Sequence, residues 1–434
     1  MGATGETVRP PRPRGARLRV GSSWRAWLGS RLPALAFGLA FLAIVSRRPD
    51  AVTHAQFWAE DGRISFADVY NRGFLSTIVV PQSGYYQSLT VIVAGLARIL
   101  PLAWAPLAMN FAAIAVRALP VALLLSDRAR TISPDRRVRA LLAALYIALP
   151  SLPEANGNID NALWYLAVAA VIVVMLAPPV RRRERLGDGL ILLGCATTGV
   201  FAIALAPLTS IYRHRYPTRV PRTTVVILGA GAALQLASLL VIQHHVPSGF
   251  SLGPRISGPL FASPHLALQI LGGRVGLPSI FGNDLSVGDN ASLVTGTVMV
   301  VLALLAFRRA SDQLRLFLAF AGLLFAMALA HPQVSWPELT IASSSGRYFI
   351  VPGFAVVATL VWAATTLRGK LAGSAAIGAL VFIVILTIPM GWSYRPYRNT
   401  GFAAQANAFE ESPTGTRMTF PLNPRPWSMT LVKR

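Results

Sequence analysis

Acid is scarce in this sequence: seventeen aspartates and glutamates stand against forty lysines and arginines in 434 residues. Cysteine is scarcer still. Cys195 is the only one and lies inside an apolar run, which excludes an intrachain disulfide and a cysteine-based metal site. Lysine is nearly missing, with Lys370 and Lys433 against 38 arginines in an Ala/Val/Leu/Gly-rich background, the bias of a GC-rich bacterial genome. No P-loop and no dinucleotide-type glycine fingerprint occurs, which argues against ATP-driven pumping by this chain. Charge of either sign makes up only 13% of the chain and apolar residues 54%. A soluble core has no room for so much apolar surface, gathered here in runs of about 15 to 25 residues.

The composition therefore specifies an all-α integral membrane protein embedded in a lipid bilayer. The net charge of +23 invites a nucleic-acid reading. That reading needs a basic face on a soluble domain. Here the arginines fall in short clusters between apolar runs, the pattern of loops that set orientation in a membrane, so no nucleic-acid partner is expected.

In chain order, residues 1–30 read as a disordered, Pro- and Arg-rich cytoplasmic tail and 31–46 as an uncleaved first span. The first outer loop, 47–102, carries Phe66, Val69, Tyr70 and Phe74 at helical spacing, an amphipathic helix suited to the membrane surface. Residues 84–100 read as a second surface helix, and 103–126 as a clear span. Spans at 138–150 and 162–178 follow. Next comes 189–212, too short for two full crossings but flanked on both sides by arginines. A hairpin of two short helices turning near Thr197-Thr-Gly199 reconciles the two facts. Spans at 222–243, 291–307, 314–330, 348–367 and 371–391 complete the 31–391 membrane domain, with outer loops at 244–290 and 331–347. The tail 392–434 reads as a small, turn-rich extracytoplasmic cap. This gives about eleven crossings, N-terminus in and C-terminus out. On that layout eleven of the seventeen acids fall outside, and 25 of the forty bases fall inside.

The outer face thus collects the residues able to do chemistry. Glu60 and Asp61 sit between Trp58 and Gly62 just after the first span, and this placement of Trp58-Ala-Glu-Asp-Gly62 resembles the GT-C superfamily of membrane glycosyltransferases. The resemblance covers 31 to about 390 as a layout. It implies a polyprenyl-phosphate-linked sugar as donor, a glycan, glycolipid or protein as acceptor, a first-loop acid as general base, and a bacterial plasma membrane with the site on its extracytoplasmic side.

The residues are compatible with that chemistry. Transfer of a sugar to a hydroxyl needs a carboxylate to take the proton and positive charge near the departing phosphate. Asp61 is the expected base. Glu60 is its neighbour, a second candidate base or, with Asp61, a ligand to a divalent cation. The same pair would also serve as a helix cap near Arg63. Arg347, in Ser343-Ser-Ser-Gly-Arg-Tyr348, and Arg117, within a span, are candidate phosphate ligands. Arg347 with Tyr348 would equally serve as an interfacial anchor. Trp58, Tyr85, Glu154, Asn158, Asn161, Trp164 and Tyr348 are candidate sugar contacts, since carboxamides, carboxylates and aromatic faces suit hydroxyls and apolar ring faces. The stretch from Glu154 to Asn161 would equally form a plain surface turn. His244-His245 is more readily an interfacial pair than a metal site. A lipid-linked saccharide flippase or another transporter is the alternative function, and a scaffold the third.

Overall fold

The computed structural model of the chain describes residues 20–82, 84–149, 152–242, 264–273, 290–330 and 345–434. Within them the molecule is mostly helical, as a membrane-embedded chain requires. Six segments are long and apolar enough to cross a membrane: Leu102–Leu125, Arg222–Val241, Asn290–Arg309, Asp312–Ala330, Gly346–Thr366 and Leu371–Gly391. Each lies within a few residues of an expected span, because arginine, proline or glycine punctuates the apolar runs.

The first helix, α1 (Val20–Arg47), begins earlier than expected. Residues 20–30, read as disordered tail, are helical, and the helix runs on through Pro33 into the apolar run. A π-helical turn, Asp61–Phe66, then runs into α2 (Ala67–Arg72), α3 (Phe74–Ile78) and α4 (Ser88–Ala97). The apolar face of 61–72 does not lie on the membrane as expected. Phe66 and Val69 are buried, and Phe66 and Tyr70 lead into a second, smaller core with Phe402, Phe409 and Phe420 of the C-terminal tail. The exposed apolar residues sit instead on and after α3 and α4, at Leu75, Val79, Leu96 and Ile99.

Next come α5 (Ala105–Leu125), α6 (Arg136–Ile147) and α7 (Ala162–Met175). All fourteen residues of α7 are buried. A helix apolar all round belongs inside a bundle, and α7 is the axis on which α5 packs. The expected hairpin is present as α8 (Arg182–Ala196) and α9 (Phe201–Arg215), turning at Thr197–Val200. Gly199, at φ +80°, takes the left-handed conformation this turn needs. The tip is shielded by protein: Leu89 N donates to Thr198 Oγ1 at 3.0 Å and Gly199 N to Tyr86 O at 2.9 Å.

The remaining bundle comprises α10 (Arg222–Ile242), α11 (Pro264–Leu271), α12 (Asn290–Arg309), α13 (Asp312–Ala330), α14 (Ile350–Thr366) and α15 (Leu371–Phe382). α11 falls within the expected 244–290 loop and abuts α12 so closely that a Cβ on Gly296 would collide with the Leu268 carbonyl. The rest of that loop, His244-His245 included, and residues 331–344 lie outside the described residues. Buried residues make up 72% of the apolar window of Gly346–Thr366 but 17% of that of Asn290–Arg309, so α14 is central and α12 peripheral.

The tail is more than turns. α16 (Phe402–Glu411) precedes an antiparallel hairpin of β1 (Arg417–Pro421) and β2 (Ser428–Val432), so the chain is not purely helical. Asn71 on α2 holds β2 at both Thr430 O and Val432 N, and Glu410 accepts the Leu102 amide at 2.7 Å. Arginine clusters meet at the opposite end of the bundle. There Arg128 grips Asp188 through both oxygens, at 2.9 and 2.6 Å, and Tyr216 donates to Asp312.

Candidate functional site

Where the first helix ends, Arg47 closes three elements at once. Its guanidinium donates to Ile147 O and Leu149 O at the end of α6, to Gly391 O and Trp392 O at the end of the last span, and to Tyr394 Oη. Carbonyls at helix C-termini lack partners within their own helix, and a cation there satisfies both their hydrogen bonding and the helix dipole. Arg48 reaches the next loop, donating to Pro153 O at 2.7 Å and Asn156 O at 3.1 Å while stacking on Tyr397 at 4.3 Å.

From there the chain runs to Trp58, which bridges Asn423 and stacks on Tyr397 with centroids 5.1 Å apart. Ala59, at φ +28°, sits in backbone space that non-glycine residues avoid, and its amide is held by Asn423 O. This kink delivers Glu60 and Asp61 to the π-helical turn, a rare element that recurs at functional sites. Gly62 follows beneath Leu422, with no space for a side chain.

The loop 152–161 gathers the site. Asp61 is fully buried, and its Oδ1 accepts the Asp160 amide at 2.9 Å, its Oδ2 the Ile159 amide at 3.3 Å. Glu154 on the same loop accepts the Arg347 amide at 3.2 Å, and its other oxygen lies 3.8 Å from the Arg347 guanidinium. Asn156 Oδ1 accepts from Arg117, whose other donor goes to Ile147 O. Asn158 Oδ1 caps the Asn161 amide at 2.8 Å, and Asn161 donates to Glu154 O. Residues 155–159 are buried, so the surface-turn reading of this loop is set aside.

Electrostatically the site is a carboxyl cluster. Burial raises Asp61 well above the usual carboxylate range, the charges of Asp160 and Glu60 push it further, and the two amide hydrogen bonds only partly offset this. Asp160 is pushed up to about 7, by burial and then by Glu60, against the opposing charge of Arg347.

The sequence-derived candidates divide into two groups. Glu60, Asp61, Glu154, Asn158, Asn161 and Arg347 converge on or against the loop, and Trp58 forms its wall with Tyr397. Arg117 is 1% exposed and lies on the Tyr165 ring at 4.9 Å, a strut beneath the loop. Trp164 and Tyr348 are buried and stack edge-to-face on each other at 5.4 Å, supporting the site from below. Tyr85 lies in the turn Gln82–Tyr85, beside Gly84 and Tyr86, whose carbonyl and amide are held by Ser238 and Gln235 of α10. Among the described residues no group of three His, Cys, Asp or Glu side chains has the arrangement of a metal site, and both Asp61 oxygens are already engaged.

Sequence reasoning missed Arg48, Tyr397 and Asn423. A signal existed for the first: a basic pair at the end of α1 expected on the outside runs against the charge rule, and such a violation marks arginines with internal partners. Beside Arg347 along the chain, Phe349 touches Phe325, which lines an apolar cavity of about 400 Å³ between α11, α12, α13 and α14. No known protein family and no curated protein matches this chain.

Proposed function

We propose that this chain is a membrane glycosyltransferase of GT-C type that moves a sugar from a polyprenyl-phosphate donor to an extracytoplasmic hydroxyl. The observation that carries this reading is the joining of an acidic cluster, Glu60, Asp61 and Asp160, to a cation, Arg347, through Glu154 on one buried loop at the mouth of an apolar bundle. In the reaction the acceptor oxygen bonds to the anomeric carbon, the bond from that carbon to the phosphate oxygen breaks, and the acceptor proton passes to a carboxylate of the cluster. Polyprenyl phosphate leaves with its negative charge facing Arg347. The 3.8 Å pair with Glu154 is long, so a phosphate would compete well for that guanidinium. The cavity between α11 and α14 offers apolar walls for the first isoprene units.

The eleven-crossing arrangement belongs to the same reading. It is supported by the basic turns meeting at one end of the bundle while Arg47, loop 152–161, Arg347 and the cap meet at the other. The test is reconstitution of the full chain in phospholipid vesicles with polyprenyl-phosphate mannose, glucose and arabinose, with native membrane extract as the acceptor source. Release of polyprenyl phosphate with labelled product supports the reading. Movement of intact donor between leaflets without cleavage would replace it with the transporter.

A further inference from the structure

Two aspartates compete for the role of base, and their surroundings differ. Asp61 has no exposed surface, and each of its oxygens already accepts a backbone amide. With each oxygen tied to one backbone amide, Asp61 is already engaged as a structural acceptor between the two loops. Asp160 keeps some exposed surface as a residue, and its Oδ1, a buried oxygen, has no hydrogen-bond partner among the described residues. A buried acceptor left unmatched is costly, so it calls for a ligand donor. The amide that Asp61 Oδ1 grips most closely is that of Asp160 itself, so the first loop fixes where the Asp160 side chain starts. Asp160 also lies within the electrostatic reach of Arg347, the candidate phosphate partner.

We propose that Asp160 is the carboxylate that takes the acceptor's proton, and that Asp61 is a positioning residue that holds Asp160 through its backbone amide. This rests on the glycosyl-transfer reading given above. The acceptor O–H proton moves to Asp160 Oδ1 as the acceptor oxygen bonds to the anomeric carbon and the sugar–phosphate bond breaks. The protonation states fit the division of labour. Asp160, raised to about 7, is poised to gain and lose a proton near neutrality, and Asp61 is likewise raised, by burial first and then by the charge of Asp160.

The test compares the full-length variants Asp160→Asn, Asp160→Glu, Asp61→Asn and Asp61→Leu in the vesicle assay with the three polyprenyl-phosphate sugars. Asp160→Asn is expected to lower kcat by about 100-fold or more with donor KM unchanged, the usual scale of a lost general base. Asp61→Asn imitates a neutral acid that still accepts the Asp160 amide. It is expected to stay within about tenfold of wild type and to keep the acidic limb of the pH profile. Asp61→Leu removes the grip on the amide and lowers activity, and Asp160→Glu restores part of the activity with a displaced limb. Asp160→Asn within tenfold of wild type, or a folded Asp61→Asn without turnover, overturns the assignment. Infrared titration of the carboxyl band is independent of activity: the group ionising near neutrality should vanish in Asp160→Asn and persist in Asp61→Asn, and the reverse overturns the inference. A wild type inactive on every donor defeats the transferase reading, while the titration still decides between the two aspartates.

Discussion

The carboxylate of Asp61 accepts the backbone amide of Asp160 at 2.9 Å, across 99 residues of chain. The first loop and the loop after α6 are thereby one unit, and the negative charges they bring together raise each other's proton affinity.

That affinity sets a pH dependence of stability. In the fold Asp160 keeps its proton up to about pH 7, whereas an unfolded aspartate releases it near pH 4 (roughly 3.9). The folded chain therefore binds the extra proton between these values, and this contribution to stability is present at low pH and lost as pH rises to about 7. Thermal unfolding in detergent should show Asp160→Asn gaining stability relative to wild type as pH rises across that window. A difference that is flat with pH would contradict it.

Arg347 is expected to act on donor binding. Arg347→Ala should raise donor KM by about tenfold or more, in line with about 1.5 to 3 kcal/mol for a hydrogen bond to a charged group. Arg347→Lys should recover only part, because lysine lacks the planar fork. Unchanged donor KM in the vesicle assay would remove Arg347 from the site.

Arg47 is expected to be a stability residue. Arg47→Met leaves four carbonyls at helix and chain ends without their donor. The loss should be about 3 kcal/mol or more, since each unmatched buried acceptor costs about 1–3 kcal/mol. Denaturant unfolding in mixed micelles measures it, and a loss within experimental error would show that water replaces the arginine.

Gly62 is expected to tolerate no branched side chain. Its position places a Cβ 2.9 Å from Leu422 Cδ1 and 3.1 Å from Phe57 Cβ. Gly62→Val should destabilise by about 1–3 kcal/mol through overpacking. The smaller companion change Leu422→Ala in the same chain should relieve part of that loss, which thermal unfolding of the double variant measures.

Much of the bundle was legible because hydropathy and arginine placement are local signals. The turn at Thr197–Val200 is the clearest case: the expected break between two short helices is where one helix ends and the next begins. The site was legible as residue types on one expected face, with Glu60, Asp61, Glu154 and Arg347 among them. What pattern alone withheld was partnership. Phe66 and Tyr70 have the spacing of a lipid-facing stripe, and nothing local says that the phenylalanines answering them lie more than 300 residues later. Arg47 likewise looks like a flank until its acceptors at Ile147 and Gly391 are in place. Ala59 gives no hint of its positive φ, because the constraint comes from Asn423.

The aromatic core joining Phe57 and Phe66 to Phe402, Phe409 and Phe420 carries a consequence for biosynthesis. The loop holding Glu60 and Asp61 is made early by the ribosome relative to its packing partners, which lie more than 300 positions later in the chain. A chain cut before Phe402 would keep every described segment long enough to cross a membrane and still leave Phe57 and Phe66 without these partners.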